Sequence, residues 1–187
     1  VAGARVLTEL VGRPDALVVL GSGLADALDE AWGAPAATVP LGAIPGVLAP
    51  VADGHGGELR SYERDGGAVL VATGRTHLYE GLGPRPVTAV ARAAVAAGIS
   101  RAVLTNANGC LKPWNLGDVM AIIDHVNLSG ASPFDGPLFL DVSALWDPEM
   151  TGALRGVCQR EGVYAMVRGP EYQTMAETRI LAGVGVD

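Results

Sequence analysis

Short apolar runs alternate with alanine-rich segments of helical periodicity along most of the chain. The clearest helical pattern lies in residues 84–98, where apolar side chains recur at intervals of three and four residues: Val87, Val90, Ala91, Ala94 and Val95. Proline at the start of this segment and Gly98 at its end are typical helix boundaries. The pattern therefore predicts a helix, and the apolar run that follows it predicts a strand at residues 101–106.

The same alternation predicts elements along the rest of the chain. Buried strands are expected at three further apolar runs: residues 16–20, 119–128 (as one strand or two) and 163–167. The segment GELRSYERDGGAVLVAT predicts two more strands, joined by a turn at Asp65–Gly67. Helices are expected at four further places: residues 2–12, from Leu24–Leu28 onward, residues 149–160, and from Met175.

Thr174 and Glu177 have the spacing of a capping box for the last of these helices. Residues 129–147, rich in Gly, Pro, Asp and Ser, predict a long surface loop, and loops of this length are usually functional or mobile. Strands alternating with alanine-rich helices indicate an α/β fold with a mixed or mostly parallel sheet. At 187 residues the chain has the size of one domain, which we expect to span residues 1–187.

Composition narrows the classes of protein that fit this pattern. Hydrophobic residues make up 49% and charged residues 18% of the chain, which excludes a disordered tail or a coiled coil. The net charge of −7 argues against a general nucleic-acid binder. No apolar run approaches the ~18 residues of a membrane span. Two cysteines are too few for a disulfide framework, so we expect a cytoplasmic protein. The low charge also predicts a partner subunit over part of the apolar surface.

Polar residues follow four of the predicted strands, at the place where α/β sheets bind their ligands. The four segments are Gly21–Gly23, Gly74–Gly81, Asn106–Gly109 and Arg168–Thr174. In the first segment, glycines allow a close backbone approach, a helix N-terminus offers free N–H groups and Ser22 adds a hydroxyl. Together these groups suit a small anion.

Each segment also has a purely structural interpretation: Arg75 and His77 fit a surface charge and a capped turn, and Tyr172 and Gln173 fit the entry of the last helix. The GSGL turn fits a tight strand–helix connection, and a dinucleotide-binding fingerprint would need a third glycine that is missing here. Asn106 fits a strand terminator, His55 an exposed loop histidine, and Asp124–His125 a structural pair within a strand. The cysteines lack CxxC spacing and HExxH is absent, so no metal site is expected.

Taken in order, six segments resemble the trimeric purine nucleoside phosphorylases: LGSGL, GHGGEL, GRTHLYEG, LTNANGCL, DHVNLSGASP and GPEYQTMAET. The resemblance extends from about residue 16 to Asp187. It implies a mixed β-sheet flanked by helices, a cytoplasmic homotrimer and a role in purine salvage. It also implies the reversible phosphorolysis of purine (2′-deoxy)ribonucleosides to the free base and (deoxy)ribose 1-phosphate, with 6-oxopurine nucleosides such as inosine and guanosine preferred. Inorganic phosphate is then a co-substrate, and no cofactor or metal is required.

The resemblance also assigns expected roles to residues of this chain. Phosphate is expected to contact five groups: Ser22, His55, Arg75, His77 and the backbone N–H of Ala107. The ribose is expected to contact Tyr79, Tyr164 and, from the neighbouring subunit, Phe139. The base is expected to contact Tyr172 and Gln173, and Asn106 lies in the stretch that lines the base pocket. His77 and Asn106 are the expected catalytic residues.

The chain also departs from the family pattern. Gln173 stands where a glutamate usually accepts the N1–H of a 6-oxopurine, which is expected to weaken the preference for such bases. Asn108 and Cys110 replace small residues near the expected phosphate site. The family continues beyond Asp187 with further residues that bind phosphate, ribose and base. We therefore expect the C-terminal third to be absent from this chain and a 187-residue enzyme to be nearly inactive. The stretch 148–163 is also shorter than the family pattern.

Three alternatives remain open at this point. A 5′-methylthioadenosine phosphorylase is the nearest one within the same class, but TNANGCL and GPEYQT fit it less well. A nucleoside-binding module without catalysis would be consistent with Gln173 and the absent C-terminal segment. An NAD-dependent oxidoreductase would rest on GSGL alone and lacks the acidic residue expected at the end of a second parallel strand.

Overall fold

The computed structural model describes residues 2–51, 56–65 and 67–187. These residues form two compact units, Val1–Ala107 and Asn108–Asp187. Within the described ranges no helix has both the length and the apolar character needed to cross a bilayer.

A five-stranded mixed sheet forms the centre of the first unit. Its strands are β1 (Ala16–Val19), β2 (Ala37–Pro40), β3 (Glu58–Arg64), β4 (Gly67–Ala72) and β5 (Arg101–Leu104). They are ordered β2-β3-β4-β1-β5, with β1 parallel to both β4 and β5, and with antiparallel pairs β2–β3 and β3–β4. The carboxyl ends of β4, β1 and β5 therefore lie side by side along one edge of the sheet.

Helices cover both faces of this sheet. They are α1 (Ala2–Val11), α2 (Asp29–Trp32), α3 (Pro84–Val87) and α4 (Ala89–Ala96). On one face, α1 and α4 pack against alternate residues of the central strands, such as Leu17 and Leu70. On the other face, Trp32 packs against a smaller cluster that includes Tyr62 and Val71. Full burial of an aliphatic side chain contributes about 1.5–3 kcal/mol, so the larger cluster supplies most of the unit's stability.

The second unit is built on a pair of parallel strands, β6 (Met120–Asn127) and β7 (Arg160–Met166). Two helices accompany them, α5 (Pro148–Arg155) and α6 (Met175–Gly183). The α6 capping box is present: the Thr174 hydroxyl accepts from the Glu177 amide at 3.2 Å, and the Glu177 carboxylate accepts from the Thr174 amide at 2.7 Å. Residues 129–147 contain no helix or strand, as the sequence predicts.

Most of the predicted elements are confirmed, including the α/β class, the mixed sheet and the hairpin between β3 and β4. The segment 119–128, predicted as one strand or two, forms one strand with a bulge between Ile122 and Asp124. The helix expected from Leu24–Leu28 onward is wrong: turns occupy 25–28, and only the single turn of α2 follows. The helix at 84–98 is interrupted at Thr88, whose hydroxyl donates to the carbonyl oxygen of Pro84 at 3.0 Å.

The helix predicted at residues 149–160 is shorter in the structure. The α5 helix ends at Arg155, and β7 begins at Arg160 rather than at residue 163. The backbone N–H groups of Gln159 and Arg160 both donate to the carbonyl oxygen of Val119 at 3.1 Å. Pairing with the chain beside β6 therefore outweighs the local helical pattern in these residues.

Candidate functional site

Three of the predicted site segments begin at the edge where β4, β1 and β5 end. Thr105, the first residue after β5, joins two of them. Its hydroxyl accepts a hydrogen bond from the Gly21 amide at 2.8 Å and donates one to the carbonyl oxygen of Val19 at 3.2 Å. The turn after β1 is thereby attached to the end of β5.

Gly21 packs too closely against its neighbours to carry a side chain. A Cβ atom there would lie 2.7 Å from the Asn106 Cα and 2.9 Å from the Thr105 carbonyl oxygen. Ser22 follows directly and is exposed, and Gly23 has a φ of +77°, which favours glycine. The sequence therefore folds this turn tightly against β5 while leaving Ser22 open to solvent.

Arg75 reaches the same place from β4. Its guanidinium Nη1 donates to the Thr105 carbonyl oxygen at 3.1 Å. Asn106 and Ala107 follow Thr105 in the chain. The structure thus brings together the Gly21–Ser22 turn, Arg75 and the Asn106 segment around a single residue, Thr105.

His77 is held by a carboxylate that the sequence analysis did not single out. The Glu80 side chain is only 5% exposed, and its Oε1 lies 3.2 Å from the His77 Nδ1 and accepts from the His77 amide at 2.6 Å. Its Oε2 is buried without a hydrogen-bond partner among the described residues. The three-residue spacing of a helix-capping pair was the available signal for this contact.

Burial lowers the pKa of His77 below its ordinary 6.5; the nearby Arg75 charge also lowers it, and Glu80 partly opposes both. The imidazole is therefore neutral at pH 7. The adjacent carboxylate favours the tautomer with the proton on Nδ1, which leaves Nε2 as a hydrogen-bond acceptor. The ring also stacks on that of Tyr79, with centroids 4.7 Å apart.

An open groove of about 720 Å³ runs beside the Ser22 turn. It is lined by Gly23, Ala25, Asp26, Ala27, Gly56, Gly57, Glu58 and Arg60. His55, which precedes Gly56, lies outside the described residues. Within the described ranges, no cluster of three His, Cys, Asp or Glu side chains is suited to a metal ion.

The second unit carries the other predicted site residues at separate places. Tyr164 lies in β7, where its hydroxyl donates to the Met166 Sδ at 3.4 Å. Phe139 lies in the 129–147 loop and is 95% exposed. Tyr172 is 96% exposed and stands with Gln173 just before α6.

Comparison with known proteins gives a consistent result. The family description "Phosphorylase superfamily" matches residues 15–187. A purine nucleoside phosphorylase of Mycobacterium tuberculosis is 42% identical over 180 residues, which cover 95% of this chain and 67% of that protein. One from Cellulomonas is 41% identical over 92% of this chain and 64% of its own length. The chain therefore spans about two thirds of the length of these relatives.

A solved structure shares the fold. The crystal structure of the purine nucleoside phosphorylase from Schistosoma mansoni in complex with acetate superposes with a TM-score of 0.85 at 28% sequence identity. The superposition covers 100% of this chain and 75% of that one. A curated purine nucleoside phosphorylase from Bos taurus is 32% identical over 97% of this chain and 69% of its own length. With a family match over nearly its whole length and relatives at up to 42% identity, this chain belongs to the purine nucleoside phosphorylases of the phosphorylase superfamily.

Proposed function

We propose that this protein catalyses the reversible phosphorolysis of purine nucleosides to the free base and pentose 1-phosphate, as a cytoplasmic homotrimer in purine salvage. The observation that carries the proposal is the meeting of the Gly21–Ser22 turn, Arg75 and the Asn106 segment at Thr105. In a member of this family, a glycine turn and a guanidinium at one sheet edge are the groups that an incoming phosphate needs.

In this proposal the Ser22 hydroxyl, the Arg75 guanidinium and the backbone N–H of Ala107 bind phosphate oxygens. The neutral His77 ring has an acceptor at Nε2, so it binds the hydroxyl of monohydrogen phosphate rather than a charged oxygen. The two kinds of contact together orient the anion. His55 contributes to the same site by the family resemblance alone.

The reaction moves charge in opposite directions at two places. The C1′–N9 bond breaks, its electron pair leaves with the purine, and positive charge develops at C1′. Phosphate held beneath the sugar stabilises that charge and forms the new O–C1′ bond. Hydrogen bonds from the Asn106 stretch and Gln173 stabilise the departing base, against which Tyr172 packs. Tyr79, Tyr164 and Phe139 of the neighbouring subunit hold the ribose.

We further propose a preference for the 6-oxopurine nucleosides inosine and guanosine, weakened by Gln173. A glutamine amide both donates and accepts, so it tolerates the N1 atom of adenine and the N1–H of hypoxanthine. The variant Gln173→Glu is accordingly expected to raise kcat/KM for inosine relative to adenosine by about tenfold or more, since sites built on hydrogen bonds discriminate strongly. The ratio of the two initial rates, taken at equal nucleoside concentrations well below KM, measures this directly.

The proposed function is tested by chromatography of the bases that the protein releases from inosine, adenosine and 5′-methylthioadenosine. Base is expected only when phosphate is present, with inosine turned over fastest. Turnover of 5′-methylthioadenosine alone would instead identify that phosphorylase, and nucleoside binding in calorimetry without cleavage would identify a binding module. Arg75→Met is expected to abolish phosphate-dependent release, and Arg101→Met, at the opposite end of β5, to leave it unchanged.

A further inference from the structure

Arg60 is surrounded by hydrogen-bond acceptors although it lies outside the predicted site. Its side chain is 16% exposed, and its guanidinium donates to the Glu58 carboxylate from Nε and Nη2, both at 2.9 Å. Nη1 donates to Asp29 Oδ1 at 2.8 Å and to the Ala25 carbonyl oxygen at 3.4 Å, and Nη2 lies 3.7 Å from Asp26 Oδ1. One arginine thus joins β3 to two residues of the segment between β1 and α2, Ala25 and Asp26, and to Asp29, the first residue of α2.

That segment, residues 21–28, carries the exposed Ser22 and is folded largely by local backbone hydrogen bonds. Leu24 donates to Gly21 at 3.2 Å, Ala27 to Leu24 at 3.0 Å and Asp29 to Asp26 at 3.2 Å. No sheet pairing or regular helix stabilises it. Thr105 holds its first residue, Gly21, and Arg60 holds it again at Ala25 and Asp26.

We propose that Arg60 is a positioning residue for phosphate binding: it fixes the Ser22 turn, residues 21–28, in the shape at which the Ser22 hydroxyl meets the anion. This inference rests on the proposed function. Ala25 and Asp26 follow Ser22 by three and four residues, so Arg60 and Thr105 hold the turn on either side of that hydroxyl. Small displacements of such a group have large effects on binding and rate.

An arginine is required here for two physical reasons. Its planar fork presents five donors in fixed directions, which matches acceptors on several sides, whereas a lysine ammonium is a single point charge. Its charge also offsets Glu58, Asp26 and Asp29. Without it, three carboxylates would repel one another and place negative charge beside the site of an anion.

Arg64 provides a matched control on the same strand. Alternate residues of β3 share a face, so Arg64 lies on the same face as Arg60. Arg64 contacts the end of α2: it donates to the Trp32 carbonyl oxygen at 2.9 Å, and its Cζ lies 4.6 Å from the centre of the Trp32 ring. Among the described residues its partners are Glu63, Trp32 and Tyr62, so it holds α2 rather than residues 21–28. Replacing either arginine is therefore expected to destabilise the packing on this face of β3. Only the replacement of Arg60 is expected to change the phosphate site.

The test compares Arg60→Met, Arg60→Lys and Arg64→Met in the full chain. Phosphate affinity is measured by calorimetry with inorganic phosphate, KM for phosphate and for inosine by steady-state kinetics, and Tm by thermal unfolding. Arg60→Met is expected to weaken phosphate binding and raise the phosphate KM about tenfold, the effect of losing charge-assisted hydrogen bonds. The inosine KM of Arg60→Met is expected to stay within about twofold of the wild-type value. The phosphate affinity of Arg60→Lys is expected to lie between those of the wild type and Arg60→Met. Arg64→Met is expected to lower Tm and to leave phosphate affinity unchanged.

Equal phosphate affinities in Arg60→Met and Arg64→Met would overturn the inference and leave Arg60 a stabilising residue only. Should Arg60→Met not fold, Arg60→Lys takes its place, because it lacks the guanidinium fork that reaches the Ala25 carbonyl oxygen, and wild-type phosphate affinity in that variant would also overturn the inference. The proposed function fails in a different way, namely if the unsubstituted protein binds no phosphate and releases no base. Unchanged variants of an active wild type refute the positioning role alone.

Discussion

Some residues of the candidate site can be predicted from the sequence, and others become apparent only in the structure. Ser22 and Arg75 follow parallel strands, so their arrival at one sheet edge follows from the fold class. Thr105 and Glu80 were missed because their importance lies in their partners: Gly21, far away in the sequence, and the His77 ring. The Thr105 contact depends on which strands become neighbours, which a local pattern does not contain, whereas the Glu80 contact has a local signal in its three-residue spacing from His77.

Gly21→Ala is expected to destabilise the protein by about 1–3 kcal/mol, as overpacking of a tight contact does. The added Cβ meets the backbone of Asn106 at 2.7 Å, which has no flexible side chain to move aside. Phosphate affinity also falls because the Ser22 turn shifts. Urea denaturation and calorimetry measure the two effects. Gly42→Ala is the control, since nothing lies within 4 Å of a Cβ at that position; equal stabilities of the two variants would contradict the prediction.

His77 gives the site a pH dependence of known sign. Burial, assisted by Arg75, holds its folded-state pKa below the ordinary 6.5, so the folded state binds fewer protons than the unfolded state at slightly acidic pH. Above about pH 6.5 His77 is neutral in both states and does not lower the free energy of unfolding. As the pH falls below 6.5, protonation of His77 in the unfolded state decreases the free energy of unfolding. Urea denaturation of wild type and His77→Gln at pH 7.5 and 5.5 isolates the difference.

The wild type is expected to lose more stability than His77→Gln over this interval, because other titrating groups are common to both. Bound phosphate acts in the opposite direction, since a nearby anion favours the imidazolium and raises the pKa of His77. Titration of the His77 ring by NMR with and without phosphate measures that rise. An identical pKa in both conditions would place phosphate away from His77.

At the level of elements, prediction succeeded where a repeating apolar pattern exists and failed where tertiary contacts decide. The strands β1, β4 and β5 are apolar runs and were recognised with small errors at their ends. The first residues of β7 are Arg160, Glu161 and Gly162, which carry no strand pattern, and pairing with β6 draws them into the sheet. The turn region before α2 is held by Arg60, a contact that no helical periodicity indicates.

The link between β1 and β5 is testable at this scale. Thr105→Val keeps the shape of the side chain but removes the hydroxyl that serves the Gly21 amide and the Val19 carbonyl. A buried amide left without its partner costs about 1–3 kcal/mol, so we expect a loss of that order in the free energy of unfolding. Thr38→Val on the exposed side of β2 is the matched control. Equal effects of the two substitutions would show that the strand ends are joined by other contacts.

For the molecule as a whole, the surface of the 129–147 loop suggests an assembly. Three consecutive apolar residues stand exposed there: Leu138 at 55%, Phe139 at 95% and Leu140 at 52%. A contiguous exposed apolar patch of this kind marks an interaction surface. The proposed homotrimer supplies the partner, with Phe139 reaching the ribose of the neighbouring subunit.

This arrangement predicts complementation between two defective variants. Arg75→Met damages the site of its own subunit, whereas Phe139→Ala damages the site of its neighbour. When the two variants are co-expressed at equal ratio and assemble at random into a ring, half of the sites have an intact Arg75, and half of those have a neighbour with an intact Phe139. About a quarter of wild-type activity is therefore expected to be recovered. The assay is phosphate-dependent base release at low nucleoside concentration, with each variant alone as the control. If Phe139 served its own subunit, every mixed site would keep one defect, and co-expression would restore nothing.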